Sequence, residues 1–103
     1  MAFGLKKEEL LEWKKQVASG KIAIITHYWQ DKRFPNASSV TKIGCSDINK
    51  LINWGKIYNL KPEWIDFKKN YPHFDVFGEK QIEILLKENK IDQIKKFNIK
   101  PHK

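Results

Sequence analysis

The side chains best suited to chemistry in this sequence lie in one ten-residue segment, from Thr26 to Pro35. Arg33 would bind a phosphate or carboxylate through two hydrogen bonds, since its guanidinium group is planar and forked. His27 would donate a hydrogen bond or transfer a proton, and Asp31 would orient either group. The segment therefore predicts a site for an anionic ligand. The alternative is that Asp31 pairs with a neighbouring cation on an exposed loop and that His27 only ends a strand.

A second polar segment lies about forty residues further on, where His73 and Asp75 flank Phe74. Residues i and i+2 of an extended chain point the same way, so we expect both polar side chains on one face. We also expect this segment to meet the first one in space. With His27 and Asp31 it would supply two nitrogens and two carboxylates, enough to bind a divalent metal. The alternative, polar surface residues beside a buried phenylalanine, is favoured over metal binding.

A third candidate group follows a short predicted strand and begins a predicted helix. Ser46 and Asp47 precede the helix, where free backbone N–H groups attract anions, and Lys42 lies on the strand before them. An ordinary N-cap formed by Ser46 or Asp47 is the favoured interpretation. Cys45 adjoins them, and a nucleophilic thiol would need a histidine that is absent nearby in the sequence.

Aromatic side chains surround these polar residues: Trp29, Tyr28, Tyr71 and Phe74. Aromatic rings beside basic side chains suit the stacking of nucleotide bases. Trp29 is expected to form the stacking wall of the pocket. Ordinary packing in a small protein explains the same composition, so the aromatic residues alone do not decide between the two.

Charge is the most informative bulk property of the chain. Its 103 residues carry 20 basic and 12 acidic side chains, for a net charge of +8. Such a surplus favours anionic partners, including nucleotides, nucleic acids and acidic proteins. Because Arg33 is the only arginine, a general bias towards lysine explains the surplus equally well. No signal peptide or membrane span is apparent, and a single cysteine excludes an internal disulfide, so we expect a cytoplasmic protein without a membrane partner.

Apolar periodicity predicts one domain, residues 1–103, of α/β or α+β class. We expect helices packed against a small mixed sheet of three to four strands, with one βαβ-like unit built from residues 40–67. The predicted helices are 6–19, 48–58, 79–89 and a short one near 91–97, and the predicted strands are 22–28, 40–45, 63–67 and 73–77. Residues 98–103 are expected to form a basic, frayed tail, and His102 within it to take no part in the site.

The motifs His27-Tyr28-Trp29-Gln30-Asp31-Lys32-Arg33-Phe34-Pro35 and Pro72-His73-Phe74-Asp75 give the chain a resemblance to a known group. Nearly the whole sequence resembles a small uncharacterised family of basic bacterial and phage proteins. The resemblance supports the choice of site and implies an inhibitor or ligand-sequestering role in conflict between host and phage.

Three functions are compatible with these observations. The first is a binding protein whose pocket takes a nucleotide or nucleic-acid phosphate. The second is a protein-interaction module or inhibitor that meets an acidic protein. The third is a metal-dependent hydrolase or nuclease in which a divalent ion activates water. Without a strong catalytic signature, the sequence favours binding over catalysis.

Overall fold

The computed structural model describes residues 5–35, 37–67 and 71–99, which form an α+β fold of four helices and a three-stranded sheet. The expected fold class is therefore confirmed in its α+β form. The elements, in chain order, are α1 (Lys7–Ala18), β1 (Ala23–Tyr28), β2 (Ser39–Gly44), α2 (Ile48–Ile57), a 3₁₀ turn (Pro62–Trp64), β3 (His73–Val76), α3 (Gly78–Lys87) and α4 (Ile91–Phe97). Most of the expected tail (100–103), part of an expected turn (68–70) and Asn36 lie outside the described residues.

The sheet has the order β1-β2-β3, and both neighbouring pairs are antiparallel. The expected mixed sheet with a βαβ-like unit is therefore wrong. After α2, Asn59 adopts a left-handed conformation and the chain reverses. Pro62 then starts a 3₁₀ turn, for which its fixed φ is suited, in place of the expected strand 63–67. Only Asp66 of that segment pairs, through an isolated bridge to His73.

One side of the sheet, called here the α1 face, is covered at one end by helix α1. The residues that point to it are Ala23, Ile25, His27, Val40, Lys42, Gly44, His73 and Asp75. Trp13 and Val17 are the buried residues of α1, and the indole of Trp13 donates a 3.0 Å hydrogen bond to the carbonyl oxygen of Ala23. A Cβ atom on Gly44 would lie 2.7 Å from the Trp13 ring. The absence of a side chain at Gly44 therefore lets α1 contact the sheet.

The opposite side, called here the core face, packs against α2 and α3. Ile43 and Phe74 point to it and join Leu51 and Ile84 in the main hydrophobic core. The ring of Phe74 packs so closely on Gly55 that a Cβ atom there would lie 2.8 Å away, as expected for a glycine that allows close approach.

Two threonines extend the core face as a buried hydrogen-bonded network. The hydroxyl groups of Thr26 and Thr41 lie 2.7 Å apart, and the Gln81 amide of α3 donates to Thr41 over 3.0 Å. Thr26 donates to Gln93 of α4 over 2.6 Å. These bonds fix α3 and α4 on the sheet. Among the described residues, each helix is too short or too polar to span a bilayer.

Candidate functional site

The strand register brings four of the predicted site residues to the α1 face. Lys42 of β2 lies opposite Asp75 of β3, and His73 is two residues before Asp75. His27 of β1 lies two residues beyond the partner of Lys42. Directly paired residues, and residues two apart on one strand, share a face. The sheet thus places His27, Lys42, His73 and Asp75 on one face.

His73 and Asp75 form the tightest part of this group. The Nδ1 atom of His73 lies 2.7 Å from the carbonyl oxygen of Tyr71, and its Nε2 atom lies 3.4 Å from a carboxylate oxygen of Asp75. The Trp13 ring packs edge-on against the imidazole, with 6.0 Å between ring centroids. Burial acts to lower the pKa of His73, but the hydrogen bonds to Asp75 and to the Tyr71 carbonyl outweigh it and raise the pKa above its ordinary value.

The pKa of Asp75 shifts in the opposite direction to that of His73. Burial acts to raise the pKa of its carboxyl group, and the hydrogen bond from His73, with the charges of His73, Lys42 and His27, lowers it overall. The Asp75 side chain is nevertheless 43% exposed, so one side of the carboxylate meets solvent. The pair is therefore held by packing on one side and open on the other.

His27 is 5% exposed. Its Nδ1 atom lies 2.8 Å from the carbonyl oxygen of Tyr28 and must carry the hydrogen of that bond. Burial, more than the nearby Lys42 charge, lowers its pKa, so the neutral ring is favoured. Nε2 is then a buried acceptor that has no hydrogen-bond partner among the described residues. The predicted role of His27 as a donor to an anion does not match this tautomer.

Asp66 is a further member that the sequence analysis did not assign to the site. It exchanges two backbone hydrogen bonds with His73, of 2.8 and 3.0 Å, so its side chain is directed to the same face. Ligand atoms of Asp66, His73 and Asp75 all lie within 4.8 Å of one another. The alternation of apolar and acidic residues around Asp66 was the available signal, but only the pairing with His73 makes it informative.

Asp31 and Arg33 form an exposed ion pair in the β1–β2 loop. Asp31 accepts from Nε and Nη2 of Arg33, at 3.0 and 2.6 Å, and from its backbone N–H at 2.9 Å. These bonds lower the pKa of Asp31 to about 2 and raise that of Arg33. The Arg33 side chain is 76% exposed and lies 5.4 Å over the Phe34 ring. Asp31 therefore orients Arg33.

An aromatic cluster, defined by Trp29, Phe34 and Phe77, joins this loop to the end of β3. The centroid of Phe77 lies 5.3 Å from that of Trp29 and 4.6 Å from that of Phe34. Trp29 continues the pairing of β1 through a 3.0 Å bond to Ser38, so alternation places it on the side of His27. Phe77 follows Asp75 by two extended residues. Both polar segments of the sequence therefore meet through aromatic contacts.

Ser46 and Asp47 lie away from the aromatic cluster. They follow the last residue of β2, whereas the aromatic cluster lies beside its first residue, roughly 17–20 Å away for a strand of this length. Asp47 caps α2 by accepting from the Lys50 backbone N–H over 3.2 Å, and the backbone N–H of Ser46 donates to Val17 over 2.9 Å. The N-cap interpretation explains Asp47, whereas Ser46 bonds the end of α1. Cys45 is fully buried in the main core.

Comparison with known proteins identifies a bacterial relative. The chain is 54% identical over 99 residues to the Bacillus subtilis (strain 168) protein called Uncharacterized protein YneQ, and the match covers 96% of this chain and 100% of that protein. No family model matches the chain, and no solved structure matches it.

Proposed function

The chain belongs to the family of Bacillus subtilis YneQ, and we propose that it is a binding protein for nucleotide units, free or within a single-stranded nucleic acid. The expected membership of an uncharacterised family is thereby confirmed. The observation that carries the proposal is the aromatic cluster, with Arg33 held against one of its rings. Because the relative's name states no ligand, the support comes from the residues of this chain.

The aromatic cluster supplies the stacking surface. Phe34 is exposed, and Trp29 and Phe77 are half-buried. Neighbouring residues therefore hold the rings in place while part of their surface stays accessible to a ligand. A base that stacks on such a surface contributes about 1–3 kcal/mol to binding, with little dependence on its identity. The cluster therefore suits a ligand that is recognised as a nucleotide and not by sequence.

The phosphate contact is assigned to Arg33. Asp31 occupies its Nε and Nη2 atoms, and the ring of Phe34 supports the guanidinium group. The remaining N–H groups of an arginine fixed in this way stay directed to solvent and lose little rotamer freedom when they bind. The surplus of eight positive charges attracts a polyanion to this surface over longer distances.

Lys42 supplies a second positive charge on the α1 face. Its strand partner Asp75 neutralises part of that charge, so we assign Lys42 to electrostatic attraction and Arg33 to direct contact. His27 is left out of the phosphate contacts, because its Nε2 atom is an acceptor in the favoured tautomer.

Fluorescence anisotropy with a labelled single-stranded oligonucleotide tests the proposal, and calorimetry with nucleoside triphosphates distinguishes a free nucleotide from a strand. Binding should be strongest at low salt. Trp29→Ala should weaken it by about 5- to 150-fold, the equivalent of one stacked base. Trp64→Ala is the matched control, because Trp64 is 55% exposed on the 3₁₀ turn and outside the aromatic cluster. Absence of binding by the unmodified protein at low salt would refute the proposal.

A second candidate, a protein-interaction module or phage-related inhibitor, has one observation in its favour. Ile57, Trp64 and Phe67 are large apolar side chains with more than half of their surface exposed. Exposed apolar residues of this kind occur at interaction sites. Capture of an acidic host protein by the unmodified chain, lost with Trp64→Ala and retained with Trp29→Ala, would favour this function over nucleotide binding.

A further inference from the structure

We propose that Asp66, His73 and Asp75 bind a divalent transition-metal ion of the zinc type. Their ligand atoms lie within 4.8 Å of one another, which allows all three to contact a single ion. The proposal goes beyond nucleotide binding and does not depend on it, because the aromatic cluster and Arg33 contribute no ligand atom.

The backbone fixes the relative positions of the three ligands. Asp66 and His73 are a hydrogen-bonded antiparallel pair, with N···O distances of 2.8 and 3.0 Å. Asp75 follows His73 by two residues on β3, so its side chain is on the same face. Three ligands on paired extended segments need little rearrangement to converge, and preorganisation of this kind favours binding.

The environment of His73 points to a cation at its Nε2 atom. Nδ1 donates to the Tyr71 carbonyl over 2.7 Å, so a neutral ring has a lone pair on Nε2. That lone pair faces a carboxylate oxygen of Asp75 at 3.4 Å. Two acceptors at this distance attract each other only through a cation between them, either a proton or a metal ion. A metal-binding histidine usually donates its other N–H to a carbonyl or carboxylate, as this one does.

His27 is a second buried imidazole on the same face. It is more than nine-tenths buried, its Nδ1 atom also bonds a backbone carbonyl, and its Nε2 atom is an acceptor without a partner among the described residues. The charge of Asp75 acts on its ring, so the two groups are close enough to interact. The register places His27 opposite Val40 on the far side of β2, so it borders the cluster on the α1 face and supplies no ligand atom to it.

The ligand set selects the class of metal. One imidazole with two carboxylates suits first-row transition metals, whereas Mg²⁺ and Ca²⁺ prefer oxygen ligands alone. The positive charge of Lys42, which lies opposite Asp75, repels every cation. The site therefore favours cations that bind imidazole tightly. A tetrahedral ion held by three protein ligands has a fourth position. The Asp75 side chain is 43% exposed, so water has access to the site.

Calorimetry with ZnCl₂ on the full chain tests the proposal. The protein should carry no affinity tag and should contain His102→Gln, so that the tail imidazole contributes nothing. We expect one zinc ion per chain, and Asp66→Asn and Asp75→Asn should each weaken binding at least about 10- to 100-fold, the loss typical of a supporting residue in metal sites. Asp92→Asn, on the exposed first turn of α4, is the matched control and should bind as the parent does.

A spectroscopic measurement keeps the test independent of whether the variants fold. Co²⁺ should give the absorption bands of a four- or five-coordinate ion, and zinc should shift the Nε2 resonance of His73 in the otherwise unmodified chain. Absence of zinc binding, equal affinity of Asp75→Asn and Asp92→Asn, or preference for Mg²⁺ over Zn²⁺ would each overturn the proposal.

Lys42→Met separates this proposal from nucleotide binding. Removal of a positive charge next to Asp75 should raise the zinc affinity severalfold and lower the oligonucleotide affinity, because the two ligands have opposite charge. Zinc is measured without nucleotide and nucleotide without zinc, so failure of one proposal leaves the other intact. A lower zinc affinity in Lys42→Met would contradict the metal site.

Discussion

The imidazole of His73 lies 3.4 Å from the carboxylate of Asp75, and the two residues are held on one face by the pairing of β3 with β2. This relationship links the fold to the chemistry of the molecule. Trp13 of α1 packs on the histidine, and the carboxylate faces solvent beside Lys42. Changes in the packing of α1 are therefore expected to reach the polar group.

Gly44→Ala tests that dependence. The added Cβ atom would lie 2.7 Å from Trp13, 2.8 Å from Val17 and 3.2 Å from the backbone oxygen of Pro72. Overpacking of this kind costs about 1–3 kcal/mol. Urea unfolding should show that loss, and the His73 resonances should shift because Trp13 moves. Unchanged stability together with an unchanged His73 environment would contradict the described contact.

Thr41→Val tests the buried network on the core face. The substitution removes the oxygen that receives a hydrogen bond from Gln81 and that lies 2.7 Å from the Thr26 hydroxyl. Loss of one partner leaves the buried Gln81 amide with one bond fewer, which costs about 1–3 kcal/mol. The free energy of unfolding should fall by that amount, whereas Thr41→Ser, which keeps the hydroxyl, should lose less.

The Asp31 carboxyl group provides a titration test of the loop. Its side-chain and backbone bonds to Arg33 lower its pKa from 3.8 to about 2. The ion pair therefore stabilises the fold above pH 4, and this contribution disappears as the pH falls through 2, although exposure keeps it small. Carboxyl ¹³C titration should give the low pKa, and Arg33→Ala should return it towards 3.8. An ordinary pKa in the unmodified protein would exclude the described pair.

Tyr58 gives the corresponding prediction at alkaline pH. Burial, and then the 2.5 Å hydrogen bond to Glu88, raise its pKa from about 10 to about 12. The folded state favours the protonated phenol, so this contribution to stability is complete below pH 10 and is lost as the pH rises through 12. In an ultraviolet titration one of the three tyrosines should ionise late. In Glu88→Gln that tyrosine should ionise earlier, and no change would contradict the assignment.

The sequence identifies local elements better than their arrangement. Period-3.6 patterns place the helices to within two or three residues, and Gly20 ends α1 with a positive φ as expected. The alternation in residues 63–67 predicts a strand, but Pro62 and the reversal at Asn59 leave only Asp66 paired. Asp66 and His73 pair antiparallel, so the chain reverses once more before β3, and this second reversal sets the antiparallel pairing of β3 with β2.

In the candidate site, too, the sequence predicts the local features, and only the fold reveals the features that depend on distant residues. Residue types and spacing place His73 and Asp75 on one face, because strand alternation is a local rule. The contact of this region with the 26–35 segment depends on the order of the strands, which the sequence does not give. The tautomer of His27, by contrast, depends on a carbonyl bond seen only in the fold. The place of Asp66 in the site likewise depends on a single bridge, whereas the capping role of Asp47 already follows from its position before a predicted helix.

The nearest test of the central claim is a two-dimensional ¹H–¹⁵N spectrum of the four tryptophan indole groups during titration with a single-stranded oligonucleotide at low salt. Trp29 belongs to the aromatic cluster, whereas Trp13, Trp54 and Trp64 lie elsewhere and act as internal controls. The account predicts that the Trp29 signal moves and saturates while the other three change little. A shift of Trp64 with a stationary Trp29, or no shift at all, would contradict it.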